Sequence, residues 1–173
     1  QLAAILFTDI EGYTSLMQQN ESAAIQLKER HREVLEEGHQ KFNGKIIQNY
    51  GDGTLSIFNS VVDAVECALS MQQRFRQSPE VPVRMGLHTG DIIVNDGHVF
   101  GDGVNIASRI ESLSVPGSIL ISDKVKDELN NHPQIKTVSM GNFNMKNIER
   151  EIGVYAIDHE SLFIPEAGNL KGK

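Results

Sequence analysis

Residues 2 to 8, LAAILFT, are apolar almost without a break, which suits a central strand covered on both faces. From Glu21 to Phe42 the pattern changes period. Ala24, Leu27, Val34 and Leu35 recur three and four apart, as on one stripe of an amphipathic helix. Two strand-like runs follow, Lys45 to Tyr50 and Thr54 to Asn59, around Gly51-Asp52-Gly53, where positive-φ residues would close a hairpin. A second helix is predicted from about Val61 to Arg76 and ends at Ser78-Pro79. VPVRMGLHTG and DIIVND then read as a strand pair broken near Gly90. A third helix spans about Gly103 to Leu113, closed by Val115-Pro116-Gly117. The pattern ends with a strand at Ser118 to Ile121, a short helix capped by Ser122, and strands near Ile135 to Met140 and Ile152 to Ile157. Residues 159–173 carry Gly, Pro and Lys without periodicity and are expected to form a loose tail.

Strand, helix, strand, strand, helix, strand is the order of a ferredoxin-like α+β domain, a βαββαβ core, here with additional C-terminal strands and a helix. With 173 residues, 39% of them apolar, the chain suits one domain with one core. Its 16 basic and 23 acidic residues give −7, which argues against a general nucleic-acid or anionic-membrane surface. The lone Cys67 stands at helical spacing among apolar residues and reads as a buried structural thiol. No stretch approaches ~18 uninterrupted apolar residues, so direct membrane insertion is not expected, and no signal peptide is visible. The chain opens on a strand, so it is read as a cytoplasmic domain cut from a longer protein.

The candidate chemistry starts with two carboxylates. Asp9 ends the first strand and Asp52 tops the hairpin expected beside it, so both should project from one edge of the sheet. Two aspartates that close repel unless paired, protonated or bound to a cation, and hard cations such as Mg²⁺ take one or two carboxylates plus substrate phosphates. Either aspartate alone would be a turn or cap residue; the pair points to metal. After Asp9, Ile10-Glu11-Gly12-Tyr13-Thr14 turns into a short helix whose free N–H groups favour an anion, with Glu11 pointing outward. In GDGVNIASRIES, Asn105 and Arg109 lie four apart on one helix face, while Ile106, Ala107, Ile110 and Leu113 can pack on the sheet.

FTDIEGYTSLM, NYGDGTLSIF, VRMGLHTGDI, GDGVNIASRIE and MKNIEREIGVYAI, in this order, resemble the class III nucleotidyl cyclase catalytic domain across roughly residues 2 to 158. The resemblance implies a head-to-tail homodimer with two sites at its interface. There a nucleoside triphosphate becomes a 3′,5′-cyclic nucleotide and pyrophosphate. It implies two Mg²⁺ or Mn²⁺ ions held by Asp9, Asp52 and the carbonyl of Ile10, with Gly12, Tyr13 and Thr14 at the phosphates. Arg84 would contact phosphates from the same side, and Lys146 would lie near the β- and γ-phosphates. From the partner chain, Asn105 would orient the ribose and Arg109 would neutralise charge on the α-phosphoryl group. Regulatory domains attached to the same chain are usual in this family.

The departures lie at the base. A lysine and an aspartate commonly read adenine, three residues before the hairpin Gly-Asp and three before the glycine of the Asn/Arg motif; here those positions are Gln48 and His98. An amide that can flip satisfies either purine, so a preference for ATP with measurable GTP turnover is expected. A guanylyl or pyrimidine nucleotide cyclase, or an inactive nucleotide-binding and dimerisation module, stand as alternatives.

Overall fold

The computed structural model describes residues 1–170. Strand β1 (Leu2–Ile10) runs into a short helix α1 (Tyr13–Gln19) and the long helix α2 (Glu21–Lys41). The hairpin β2 (Lys45–Tyr50) and β3 (Gly53–Phe58) leads to α3 (Val61–Phe75) and β4 (Val83–Asp91). These strands stand in the order β2-β3-β1-β4, all antiparallel, which is the expected ferredoxin-like core. A small separate hairpin follows, β5 (Ile93–Asn95) and β6 (His98–Phe100), and then α4 (Asp102–Leu113). The sheet continues beyond β4 with β7 (Ile119–Ser122), β9 (Ile152–Asp158) and β8 (Lys136–Phe143), with α5 (Asp123–Glu128) between β7 and β8. Among the described residues only β4 and β7 pair in parallel, α4 lying in the crossover between them.

Strand β1 is buried on both faces, as its sequence requires. Ala4 and Leu6 pack with Val34, Val65 and Met71 of α2 and α3, while Ala3 and Ile5 face Leu55 and Ala107 on the α4 side. Helix caps fall where side-chain chemistry places them. Asn20 accepts from the Ala23 N–H, Ser60 from Asp63 and Ser122 from Val125. Burial, aided by the charge of Asp63, pushes the Cys67 thiol up to about 12, so it is an inert core group.

Two sequence readings need correction. DIIVND does not pair with the preceding strand: after Asp91 the chain leaves the sheet, and Ile93–Asn95 pairs with His98–Phe100. Asp96 and Gly97 both have positive φ (51° and 76°), the requirement of a type I′ two-residue turn. The segment after His159 is not loose as far as it is described. Phe163 donates its N–H to the Gly117 carbonyl at 3.0 Å, Ser118 Oγ donates to the Phe163 carbonyl at 2.6 Å, and Arg76 donates to the Ser161 carbonyl at 2.6 Å. Leu162 and Leu170 are buried; residues 171–173 lie outside the described residues.

Burial lowers the pKa of three histidines, His31, His39 and His88, and the two with the large shifts, His88 and His31, make stability depend on pH. His88 bonds Ser122 Oγ through Nδ1 at 2.7 Å, and burial, reinforced by Lys124 and Arg150, lowers its pKa to about 4. Burial likewise takes His31 to about 4 against the pull of Asp9. Both folded values lie below the unfolded value near 6.5, so their stabilising effect is complete above 6.5 and is lost as pH falls towards 4. Each histidine should cost up to roughly 3 kcal/mol across that window. Urea unfolding at pH 7.5 and pH 4.5 should show this loss, and equal midpoints would contradict it.

Candidate active site

At the hairpin turn Gly51 has φ 59°, at the first of the two residues between Tyr50 and Gly53, where a glycine is needed. Gly53 faces Asp9 across the ladder, and a side chain there would meet the Thr8 carbonyl at 3.2 Å. The Ile10 N–H donates to the Asp52 carbonyl at 3.2 Å. The turn is thereby tied to the end of β1, and Asp9 and Asp52 line one cleft of about 350 Å³ with Tyr50, Asn105, Ser108 and Glu111. Glu11 points outward, as its sequence setting suggests, and is exposed.

Asn105 reaches this cleft because α4 lies directly on β4. A methyl group at Gly86 would fall 2.2 Å from the Glu111 backbone nitrogen and 2.9 Å from the Ala107 carbonyl, so only glycine permits this approach. The same contact brings Glu111 to Arg84, with 3.7 Å between Oε2 and Nη2. Arg84, expected at the phosphates, is engaged by Asp9 here. It donates from Nε to Asp9 Oδ1 at 2.8 Å and from Nη2 to Oδ2 at 2.5 Å, a bidentate pair, and its side chain is only 4% exposed. A guanidinium buried that deeply needs anionic partners, and Asp9, with Glu111 farther off, supplies them. Burial opposes the Arg84 charge, but hydrogen bonds and attraction from Asp9, then Glu111 and Glu11, outweigh it and raise its pKa.

Helix α4 sends Asn105 and Arg109 to different clefts. Asn105 lines the cleft with the aspartates, whereas Arg109 lines a second cleft of about 260 Å³ with Asn144, Met145 and Lys146. Lys146 sits on the β8–β9 connection, which Arg150 pins by donating to Asp123 Oδ2 at 3.0 Å; Asp123 also accepts from the Gly153 N–H. Gly12, with φ 74°, starts α1, and Thr14 is exposed there. The Tyr13 ring packs against the core under Lys28 Nζ at 5.7 Å. Gln48 is half-buried on β2, and His98 is exposed on β6 with its ring 6.3 Å from that of Phe100. Two contacts escape a reading of the sequence: Glu111 beside Arg84, and the bond that the Tyr50 hydroxyl donates to Gln48 Oε1 at 3.1 Å.

The donor set suits a hard divalent cation. Among the described residues the Asp52 carboxylate makes no hydrogen bond or ion pair, and Asp9 keeps lone pairs beyond those taken by Arg84. No cluster of three or more His, Cys, Asp or Glu side chains capable of holding a metal occurs among the described residues.

Comparison with known proteins supplies the family. The model of the adenylate and guanylate cyclase catalytic domain matches residues 1–159. The chain is 41% identical over 163 residues to the "Putative adenylate cyclase 3" of Rhizobium meliloti, covering 90% of this chain and 28% of that longer protein. Among solved structures, the adenylate/guanylate cyclase/hydrolase from Silicibacter pomeroyi aligns with a TM-score of 0.81 at 33% identity, covering 92% of this chain and 98% of its own. The adenylyl cyclase CyaB from P. aeruginosa aligns with a TM-score of 0.79 at 25% identity, covering 94% and 98%. No helix among the described residues is long and apolar enough to cross a membrane. With its α+β sheet, its paired aspartates and these relatives, the chain belongs to the adenylate and guanylate cyclase catalytic domain family, the class III nucleotidyl cyclases.

Proposed function

We propose that this domain converts ATP to 3′,5′-cyclic AMP and pyrophosphate at two sites, each shared between the chains of a homodimer. The observation that carries the reading is the division of functional residues within one chain. Asp9 and Asp52 line one cleft and Arg109 and Lys146 another, so a full set for a triphosphate is assembled when one chain's first cleft meets another's second. Ile93 and Phe100 on the small hairpin are 68% and 55% exposed, apolar surface that a second copy would cover.

In this site Asp9, Asp52 and the Ile10 carbonyl hold two Mg²⁺ or Mn²⁺ ions. When bound, such ions favour ionisation of the ribose 3′-hydroxyl and offset triphosphate charge. The protein's own groups do the rest. Arg84 orients the Asp9 carboxylate through its two parallel hydrogen bonds. The N–H groups from Gly12 to Thr14 and the ammonium of Lys146 hold the β- and γ-phosphates. Asn105 orients the ribose, which sets the 3′-oxygen in line with the α-phosphorus. Arg109 stabilises charge on the α-phosphoryl oxygens as the bond to pyrophosphate breaks, a contact of a kind worth ~3–4 kcal/mol. Gln48 and His98 face the base, and the exposed His98 leaves room for guanine as a second substrate. The parent protein, much longer in its curated relatives, would carry regulatory domains and keep this one in the cytoplasm. Incubation with each of the four ribonucleoside triphosphates and Mg²⁺ or Mn²⁺, with mass detection, tests the reading. Cyclic AMP as the major product is expected; absence of any cyclic nucleotide would contradict it.

A further inference from the structure

Gln48 and Tyr50 are two residues apart on β2 and share one of its faces. The Tyr50 hydroxyl stands 3.1 Å from Gln48 Oε1 and donates to it. The bond lies at the surface, with Tyr50 45% exposed, and each partner is placed by a neighbour. The Tyr50 ring stacks on Phe7 with centroids 6.0 Å apart and planes at 25°, and Phe7 packs against the apolar cluster of Ile5, Leu55 and Ala107. Gln48 is set opposite Leu55, just after the irregularity that shifts the register between Ile46 and Gln48. A phenol donates well and accepts poorly, because its oxygen lone pair is drawn into the ring, while an amide carbonyl accepts strongly. The pair therefore settles with the hydroxyl on the carbonyl and the amide NH₂ directed away from it.

This changes what Gln48 offers a ligand. A free glutamine amide flips and satisfies donor or acceptor alike; one whose carbonyl is held on the Tyr50 hydroxyl no longer flips, so it is the N–H side that it turns to the ligand. We propose that Tyr50 fixes Gln48 as a hydrogen-bond donor and thereby selects adenine over guanine, an inference that rests on Gln48 facing the base. Adenine carries an acceptor at N1, which the held amide satisfies. At the same ring position guanine carries N1–H, which meets the held amide donor to donor. Tyr50 is thus a positioning residue for base choice, acting through Gln48 and absent from the usual lysine reader, which has no carbonyl to hold.

The test compares wild type, Tyr50→Phe, Gln48→Lys and the double variant. Phenylalanine keeps the ring on Phe7 and removes only the hydroxyl. The readouts are the ATP to GTP ratio of kcat/KM and, independently of turnover, the ratio of affinities with which the two triphosphates displace a fluorescent nucleotide. Tyr50→Phe is expected to lower both ratios about three- to tenfold, chiefly through improved use of GTP. In the Gln48→Lys background the same change should leave them within about twofold, because lysine has nothing to flip. If Gln48→Lys shifts the ratios and Tyr50→Phe does not, Gln48 reads the base without Tyr50 and the proposal is overturned. An equal effect of Tyr50→Phe in both backgrounds overturns it as well, since the hydroxyl then acts on its own. Ratios that no variant moves reject base reading by Gln48 itself, and the proposal with it.

Discussion

Asp52→Asn is expected to abolish cyclase turnover, by at least about a hundredfold, while leaving the fold unchanged. The asymmetry between turnover and fold follows from its setting. Asp52 sits in a two-residue turn whose conformation is secured by Gly51 and by the Ile10 N–H on its own carbonyl, and its carboxylate makes no bond among the described residues. Asparagine fits the same turn, removes the charge and leaves one oxygen to meet a cation. Asp9→Asn should reduce activity as severely, with an additional cost. Asp9 is the bidentate partner of the buried Arg84, and its loss leaves that guanidinium with Glu111 at 3.7 Å. Breaking one side of a buried pair costs up to about 3–5 kcal/mol, and the nearby Glu111 should hold the effect below that limit. Activity and urea unfolding measured on both variants separate the roles. An Asp52→Asn protein that keeps most of its activity would remove this aspartate from the site.

Gly86→Ala is expected to damage both stability and catalysis from a position that touches no substrate. The added carbon would fall 2.2 Å from the Glu111 nitrogen and 2.6 Å from its Cα, both backbone atoms of α4. No rotamer relieves that contact, so the helix must lift from β4. Overpacking of this kind costs about 1–3 kcal/mol, occasionally more. Because α4 carries Asn105 and Arg109, a displacement near 1 Å should lower kcat about a hundredfold. A Gly86→Ala protein with wild-type unfolding midpoint and kcat would show that the close helix approach does not set the site.

Side-chain periodicity explains which parts of this molecule could be read in advance. β1, α2, α3 and α4 each bury a regular set of apolar residues, and their ends carry Asn20, Ser60 and Gly101 at positions where capping or a positive φ is required. The hairpin β5–β6 lacks that regularity: Ile93, Val94 and Phe100 are exposed and only Val99 is buried, so Asp96-Gly97 was its one clear signal. The strap from His159 to Leu170 is held mainly through backbone carbonyls and N–H groups, which have no residue signature. At the site, turn chemistry exposed the two aspartates. The Arg84 pairing was hidden, because it depends on a residue 75 positions away and on a helix seated through Gly86. The separation of Asn105 from Arg109 into two clefts was hidden too, since spacing of four places both on one face without saying which neighbours each will meet.

The most direct test of a site shared between chains is to mix two inactive proteins. Asp52→Asn disables the cleft that holds the aspartates and Arg109→Ala disables the cleft that holds Lys146, so each homodimer should be inactive. A mixed dimer places both defects in one of its two sites and leaves the other intact. At equal concentrations and random exchange about half the dimers are mixed, and recovery should approach roughly a quarter of wild-type activity for independent sites in a symmetric dimer. No recovery after demonstrated subunit exchange would mean that each chain carries a complete site of its own.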